Sequence, residues 1–271
     1  HPADPRGGVE DALPLESLRI VPARHPGRWV ATAGVAVLLA MVVSSLVTND
    51  RWEWGVVAQY LTWPSILEGA WATIRLTLVA SVVGFALGTV LALMRLWRSP
   101  LLQSVSLTFT WVFRSVPLLL QLFLVFFGAP ILGIELNPWV AAAVALMLNS
   151  GAFLGEIWRG CIQAIPRGQW EAADALNLSY YWRMRSVVLP QAMKIAVAPT
   201  VGYLVQIVKG TSLAAIIGFT EVTRAGQIIN NATFQPLLVF SVVGAIYFVL
   251  CWPLSLWATR LERRQALAAA R

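Results

Sequence analysis

Apolar runs of roughly 20 residues, the length a helix needs to cross the hydrocarbon core of a bilayer, recur along most of this chain. Six can be placed, over residues 29–47, 66–94, 101–127, 139–158, 195–219 and 237–259. The runs are continuous instead of alternating, which argues against a β-barrel. With 58% hydrophobic and 12% charged residues, the chain falls well short of the roughly 25% charge that covers a soluble domain. The fold class expected is an all-α polytopic membrane protein with six transmembrane helices.

Charge orients these spans. Placing the N-terminus inside assigns to the cytoplasm Arg6, Arg19, Arg24, Arg28, Arg95, Arg98, Arg159, Arg167, Arg183, Arg185, Lys194, Arg260, Arg263, Arg264 and Arg271. Only Arg51 and Arg224 fall outside. The excess of cations in cytoplasmic loops therefore puts both termini in the cytoplasm. It also accounts for the net charge of +7 without a nucleic-acid partner. Residues 1–28, rich in Pro, Gly and Arg, are expected to be a flexible cytoplasmic tail without the apolar core of a signal peptide. Both histidines, His1 and His25, lie in that tail, and Cys161 and Cys251 form no metal-binding pattern.

One polar stretch interrupts the apolar text, residues 168–190, within a cytoplasmic loop expected over 159–194. Pro166 and Gly168 break the chain ahead of it. Trp170 to Leu176 is a compact helical run with Glu171 and Asp174 early in it, where the helix dipole favours acids. Ala172 and Ala173 leave one face thin enough for a partner's backbone to approach. Asn177 stands at the stop position, where a left-handed residue is expected. A second helix follows, and Leu189 and Pro190 close the loop where the chain re-enters the membrane. A polar helical loop of this size on a membrane domain reads as a docking element.

The residues resemble a known family here. Glu171-Ala172-Ala173, a turn residue further on, then Val187, Leu189 and Pro190, is similar to the EAA loop of ABC importer permeases. Phe113-Arg114-Ser115-Val116-Pro117-Leu118-Leu119 resembles the F-R-G-T-P-L-L segment of the polar amino acid permeases of the histidine-permease type. Asn149-Ser150-Gly151-Ala152-Phe153, continuing to Glu156-Ile157-Trp158-Arg159-Gly160, is similar to their N-S-G-A-Y-x-x-E-I-x-R-G segment. Ile165-Pro166-Arg167-Gly168, Leu189-Pro190-Gln191-Ala192 and Lys209-Gly210-Thr211-Ser212-Leu213 follow in the family's order. The likeness covers about residues 65–264. Asn177 departs from the family's glycine, Ser115-Val116 from Gly-Thr, and Gly210 from the aspartate of K-D-T-S-L.

The resemblance implies a five-helix type I importer core over residues 65–264. It leaves an extra N-terminal span at 29–47 as a peripheral anchor and 265–271 as a C-terminal tail. It implies a multi-pass protein of the prokaryotic inner membrane, paired with a second permease that is either the same chain or a paralogue. A cytoplasmic dimer of ABC ATPases would hold ATP and Mg, with no cofactor or metal on this chain. An extracytoplasmic amino-acid-binding protein would deliver the solute. Glu171, Ala172, Ala173, Asp174, Leu176, Asn177, Leu189 and Pro190 would carry the coupling to the ATPase, and transport would proceed by alternating access.

Arg75, Arg114 and Lys209 are the cations within the spans, each at an insertion cost on the order of 2.5–3.5 kcal/mol. Lys209 with Gln206, Thr211 and Ser212 forms the leading substrate-pathway cluster, although Lys209 also suits a structural role at a helix C-terminus. Arg75 suits snorkelling to the interface. Arg114, ahead of Pro117 and an expected kink, suits either a gate or a brace. Glu156 and Arg159 are spaced as an intrahelical pair. No Asp or Glu is expected deep in a span, and Gly210 removes the family's aspartate. The substrate expected is therefore an acidic or neutral polar L-amino acid. An ion-coupled secondary transporter is the alternative, but it needs acids or histidines deep in the membrane, and the spans have none away from their ends. An enzyme would need a nucleophile with its base or a metal cluster, and neither is evident.

Overall fold

The structure is a computed structural model that describes residues 26–97 and 99–269. Most of the tail expected at the N-terminus, Arg98 and Arg271 lie outside the described residues. The chain divides after Trp52 into two units. The first holds α1 (Pro26–Thr48), one apolar helix of membrane-crossing length.

The second unit is an all-helical bundle. After the short α2 (Trp54–Leu61) come α3 (Pro64–Leu96), α4 (Pro100–Ser115) and α5 (Leu118–Gly128). They are followed by α6 (Pro138–Gln163), α7 (Arg167–Ala175), the single turn α8 (Tyr180–Arg183) and α9 (Leu189–Gly210). The last two are α10 (Val222–Thr233) and α11 (Pro236–Ala269). Among the described residues five helices are long and apolar enough to cross a membrane, and the bent pair α4–α5 makes a sixth. The six-span fold class expected from the apolar runs is the one found.

Proline opens several of these helices. Pro64, Pro100 and Pro138 sit at the first turns of α3, α4 and α6, where a missing N–H costs nothing. Asn137 caps α6, its side-chain oxygen accepting from the Val140 N–H at 2.9 Å. The packing centre is α3 against α6, and glycine makes it possible. A Cβ placed on Gly84 would lie 2.6 Å from Cβ of Ser150, and one on Gly88 3.0 Å from Cβ of Leu154. The four-residue spacing of small residues on α3 therefore meets its counterpart on α6. Gly84→Ala is expected to destabilise the bundle by roughly 1–3 kcal/mol, the usual cost of overpacking. Gly160→Ala, where an added Cβ meets nothing within 4 Å, is expected to be neutral or to stabilise by up to about 1 kcal/mol. Thermal unfolding of the two detergent-solubilised variants checks the contrast.

Three expectations about the elements are corrected. The run at 101–127 is not one continuous helix: α4 and α5 meet at 104°, far beyond a kink. Pro117 has no N–H and pushes Val116 into extended conformation, at φ −88° and ψ 128°. The loop expected over 159–194 is helical as its sequence implies but has narrower bounds, since α6 continues to Gln163 and α9 begins at Leu189. Leu189 and Pro190 do not end a loop. A π-helical turn, Met184–Val188, joins α8 directly to α9, and its wider ring accommodates the donor missing at Pro190. Beyond the fifth span the chain forms α10, started by Glu221.

Candidate translocation and coupling sites

The break between α4 and α5 opens one wall of a cavity of about 690 Å³. Arg114 to Leu118 form that wall, α6 adds Asn149, Ser150 and Phe153, and α9 with the following turn adds Tyr203, Gln206, Lys209 and Ser212. Two of the three cations expected within the spans, Arg114 and Lys209, thus face the same space, together with hydroxyl and amide groups and no carboxylate. Gln206 and Ser212 join them as the sequence cluster implies. Thr211 does not line the cavity. It is fully buried, its hydroxyl donating to the Val208 carbonyl at 2.7 Å. Arg75 is exposed on α3 and does not line the cavity either.

Arg114 is held from two sides. Its guanidinium lies 3.5 Å from Oε1 of Glu156 and 5.4 Å from the centroid of the Phe153 ring. Glu156 is more than the partner of Arg159. It accepts from Arg159 at 2.5 Å and 2.9 Å, and from Arg95 of α3 at 3.4 Å. One carboxylate on α6 thereby meets guanidinium groups from α3, α4 and α6 itself. The pair at three-residue spacing was legible in the sequence; the two partners on other helices were not.

Glu221 is a buried acid that no local sequence signal marks. It is fully buried, just beyond the turn that ends the fifth span, a carboxylate outside the spans themselves. Its oxygens accept from the N–H groups of Thr223 and Arg224, both at 2.9 Å, and from the Tyr247 hydroxyl at 2.6 Å. Burial pushes its carboxyl above the usual carboxylate range, opposed by the hydrogen bonds from Thr223, Tyr247 and Arg224. A carboxylate at Ncap also opposes the positive end of α10. Gly69 of α3 lies against the Glu221 backbone, where an added Cβ would be 3.0 Å away. A fully satisfied cap of this kind organises α3, α10 and α11 and is closed to solute.

The stretch expected to be a docking element forms α7. It ends in a left-handed Asn177, φ 51°, as the capping argument expects. The Leu178 N–H donates to the Ala173 carbonyl at 3.1 Å and the Asn177 N–H to the Asp174 carbonyl at 2.9 Å, the paired pattern of a Schellman motif. The expectation that Ala172 and Ala173 share one thin outer face is corrected. Ala173 is buried while Ala172 is exposed, as are Glu171 and Leu176. At 100° per residue adjacent positions diverge around a helix, so only one of the two alanines can face outward. Trp170 and Leu189 pack on the cluster of Ile162, Ile165, Met184 and Val188. Asp174 pairs with Arg183, whose guanidinium also lies over the rings of Trp170 and Tyr180. The Tyr180 hydroxyl donates to the Leu96 carbonyl at 2.9 Å and ties this unit to the end of α3.

Residues 80–267 match the family described as binding-protein-dependent transport system inner membrane component. The chain belongs to this family. The permease is 36% identical over 261 residues to the arginine transport system permease protein ArgU of Corynebacterium glutamicum, across 90% of this chain and 81% of that protein. To the glutamine transport system permease protein GlnP of Escherichia coli it is 34% identical over 226 residues, covering 80% and 99%. A crystal structure of an amino acid ABC transporter with histidines superposes with a TM-score of 0.71 at 32% identity, covering 74% of this chain and 94% of that one. The motif-borne resemblance to ABC permeases of the polar amino acid type stands, and the permease is a multi-pass inner membrane component.

Left-handed geometry at Asn177 gives the permease a local stability test. Asn177→Ala is expected to weaken the end of α7 by about 1 kcal/mol, since an L-residue without a short polar side chain is disfavoured there. Asn177→Gly is expected to match or exceed the wild type. Limited proteolysis of the 164–179 connection reads the difference directly, with faster cleavage expected only for the alanine variant.

Proposed function

We propose that this permease carries polar L-amino acids across the inner membrane by alternating access, driven by ATP hydrolysis on a partner ABC ATPase dimer. The observation that carries the reading is the cavity beside the broken helix, where Arg114 and Lys209 face one space with no carboxylate in its lining. Lys209, and Arg114 beside its Glu156 partner, offer positive charge to a substrate carboxylate, and the hydroxyl and amide groups around them suit polar side chains. A second permease, the same chain or a paralogue, completes the pathway, and a binding protein delivers the solute from outside. Both termini lie in the cytoplasm in this reading.

The exposed face of α7, with Glu171, Ala172 and Leu176 outward, docks on the ATPase, and ATP and Mg stay on that partner. Asp174 and Asn177 shape this helix, while Leu189 and Pro190 connect it to α9. The domain scheme follows, with residues 65–264 as the importer core and the span at 29–47 as a peripheral anchor.

An acidic or neutral polar amino acid fits the cavity best. The relative named for arginine transport favours a second reading, in which the cavity cations hold the α-carboxylate and a cationic side chain is met elsewhere. The test is the ATPase rate of the complex reconstituted with its ATPase and binding protein, measured against a panel of amino acids. Stimulation by glutamine or glutamate supports the first reading and strong stimulation by arginine alone supports the second. Indifference to every amino acid refutes both.

A further inference from the structure

The carbonyls left open by the break at Pro117 are served by a side chain that never touches the cavity. In an unbroken helix the Phe113 carbonyl would accept from the N–H of residue 117, and proline has none. The Leu120 N–H, which would serve Val116, turns to the Pro117 carbonyl instead, at 2.9 Å. Gln121 supplies both missing donors. Its Nε2 lies 2.7 Å from the Phe113 oxygen and 2.8 Å from the Val116 oxygen. Gln121 is 4% exposed and is absent from the cavity lining.

The chain of contacts continues into the cavity. Oε1 of Gln121 accepts from Nδ2 of Asn149 at 3.4 Å, and the same nitrogen reaches the Phe113 oxygen at 3.2 Å. The Tyr203 hydroxyl donates to Oδ1 of Asn149 at 3.1 Å. The Tyr203 ring stacks on Phe153 at 5.3 Å, and Phe153 carries Arg114 over its face. Asn149, Tyr203, Phe153 and Arg114 all line the cavity. The contacts thus run from the broken helix through α6 and α9 and back to the end of α4.

We infer that Gln121 is a positioning residue that couples occupancy of the cavity to the α4–α5 break, through Asn149 and Tyr203. The inference rests on the permease reading. A solute that draws the Asn149 amide into its own hydrogen bonds removes a partner from Gln121, one that draws the Tyr203 hydroxyl releases Asn149 to shift, and the donors at the break rearrange. The long Asn149–Gln121 bond is the easiest member of the chain to exchange. Buried polar networks of this kind respond as units because each unmade bond inside them is costly.

The test uses the full complex with its ATPase and binding protein. Nitroxide labels are placed at Val105→Cys on α4 and Leu124→Cys on α5, both exposed, after Cys161→Ala and Cys251→Ala. Adding binding protein loaded with glutamine, glutamate or arginine is expected to change the label separation by several ångströms (a helix rise is about 1.5 Å per residue) and to stimulate ATP hydrolysis. Tyr203→Phe keeps the stacked ring and loses only the hydroxyl; Gln121→Leu removes both donors at the break. Each is expected to cut the fold-stimulation at least fivefold and to abolish the solute-dependent change in separation. Wild-type stimulation and an unaltered change in separation in Tyr203→Phe would overturn the inference and leave the permease reading intact, even if Gln121→Leu fails to assemble. Absence of stimulation in the wild type overturns the permease reading itself.

Discussion

Replacing Glu156 by alanine is expected to lower the apparent unfolding temperature of the permease by several degrees and to reduce transport with it. One carboxylate answers Arg95 at 3.4 Å, Arg114 at 3.5 Å and Arg159 at 2.5 Å. Removing it leaves three cations facing one another near the ends of three helices. Breaking a fully buried pair on one side costs about 3–5 kcal/mol. The side chains here are between 18% and 39% exposed, so solvent screening reduces that to roughly half. A combined Glu156→Gln, Arg95→Gln variant removes one repelling cation along with the acid. Its loss is expected to be smaller than the sum of the single variants by about 0.5–3 kcal/mol, the range for residues that share a network. Strict additivity in thermal unfolding would place the arginines outside any common network.

Glu171→Lys is expected to leave the bundle folded and to uncouple ATP hydrolysis from transport. Glu171 is exposed on α7, beside Ala172, while Ala173 on the inner side is buried. Reversing its charge places repulsion against whatever cation meets the acid on the ATPase, and like charges at an interface cost several kcal/mol. Since about 1.4 kcal/mol is tenfold in an equilibrium, uptake is expected to fall by roughly 100-fold. Asp174→Asn is a useful contrast. Asp174 pairs with Arg183 within the chain, so its loss loosens α7 from α8, and a milder fall in uptake is expected, together with faster proteolysis of the connection. Uptake unchanged in Glu171→Lys would remove α7 from the coupling path.

The spans were readable because lipid sets a length and a polarity that each apolar run must satisfy on its own. The left-handed end of α7 was readable for a similar reason, since residues 173–178 contain the whole motif. The size of the bend at Pro117 was not. Proline announces a lost donor, but whether the helix kinks or breaks depends on Gln121 and Asn149, which only the folded bundle brings to the open carbonyls. Glu221 escaped notice because its burial is made by Gly69, far earlier in the chain, and Tyr247, a helix later. Among the expected pathway residues, Gln206, Lys209, Ser212 and Arg114 share the cavity, whereas Thr211 points into the bundle. Placing Thr211 required the helix to tighten after Gly210, a change that the apolar pattern does not encode.

ATP on a cytoplasmic partner, and no ion gradient, is proposed to drive solute through this chain. Proteoliposomes holding the complex, with binding protein and labelled amino acid on one face and ATP on the ATPase face, test it directly. Uptake that requires ATP and is indifferent to a collapsed proton or sodium gradient is the predicted result. Uptake that proceeds without ATP and stops when the gradient is collapsed would contradict it.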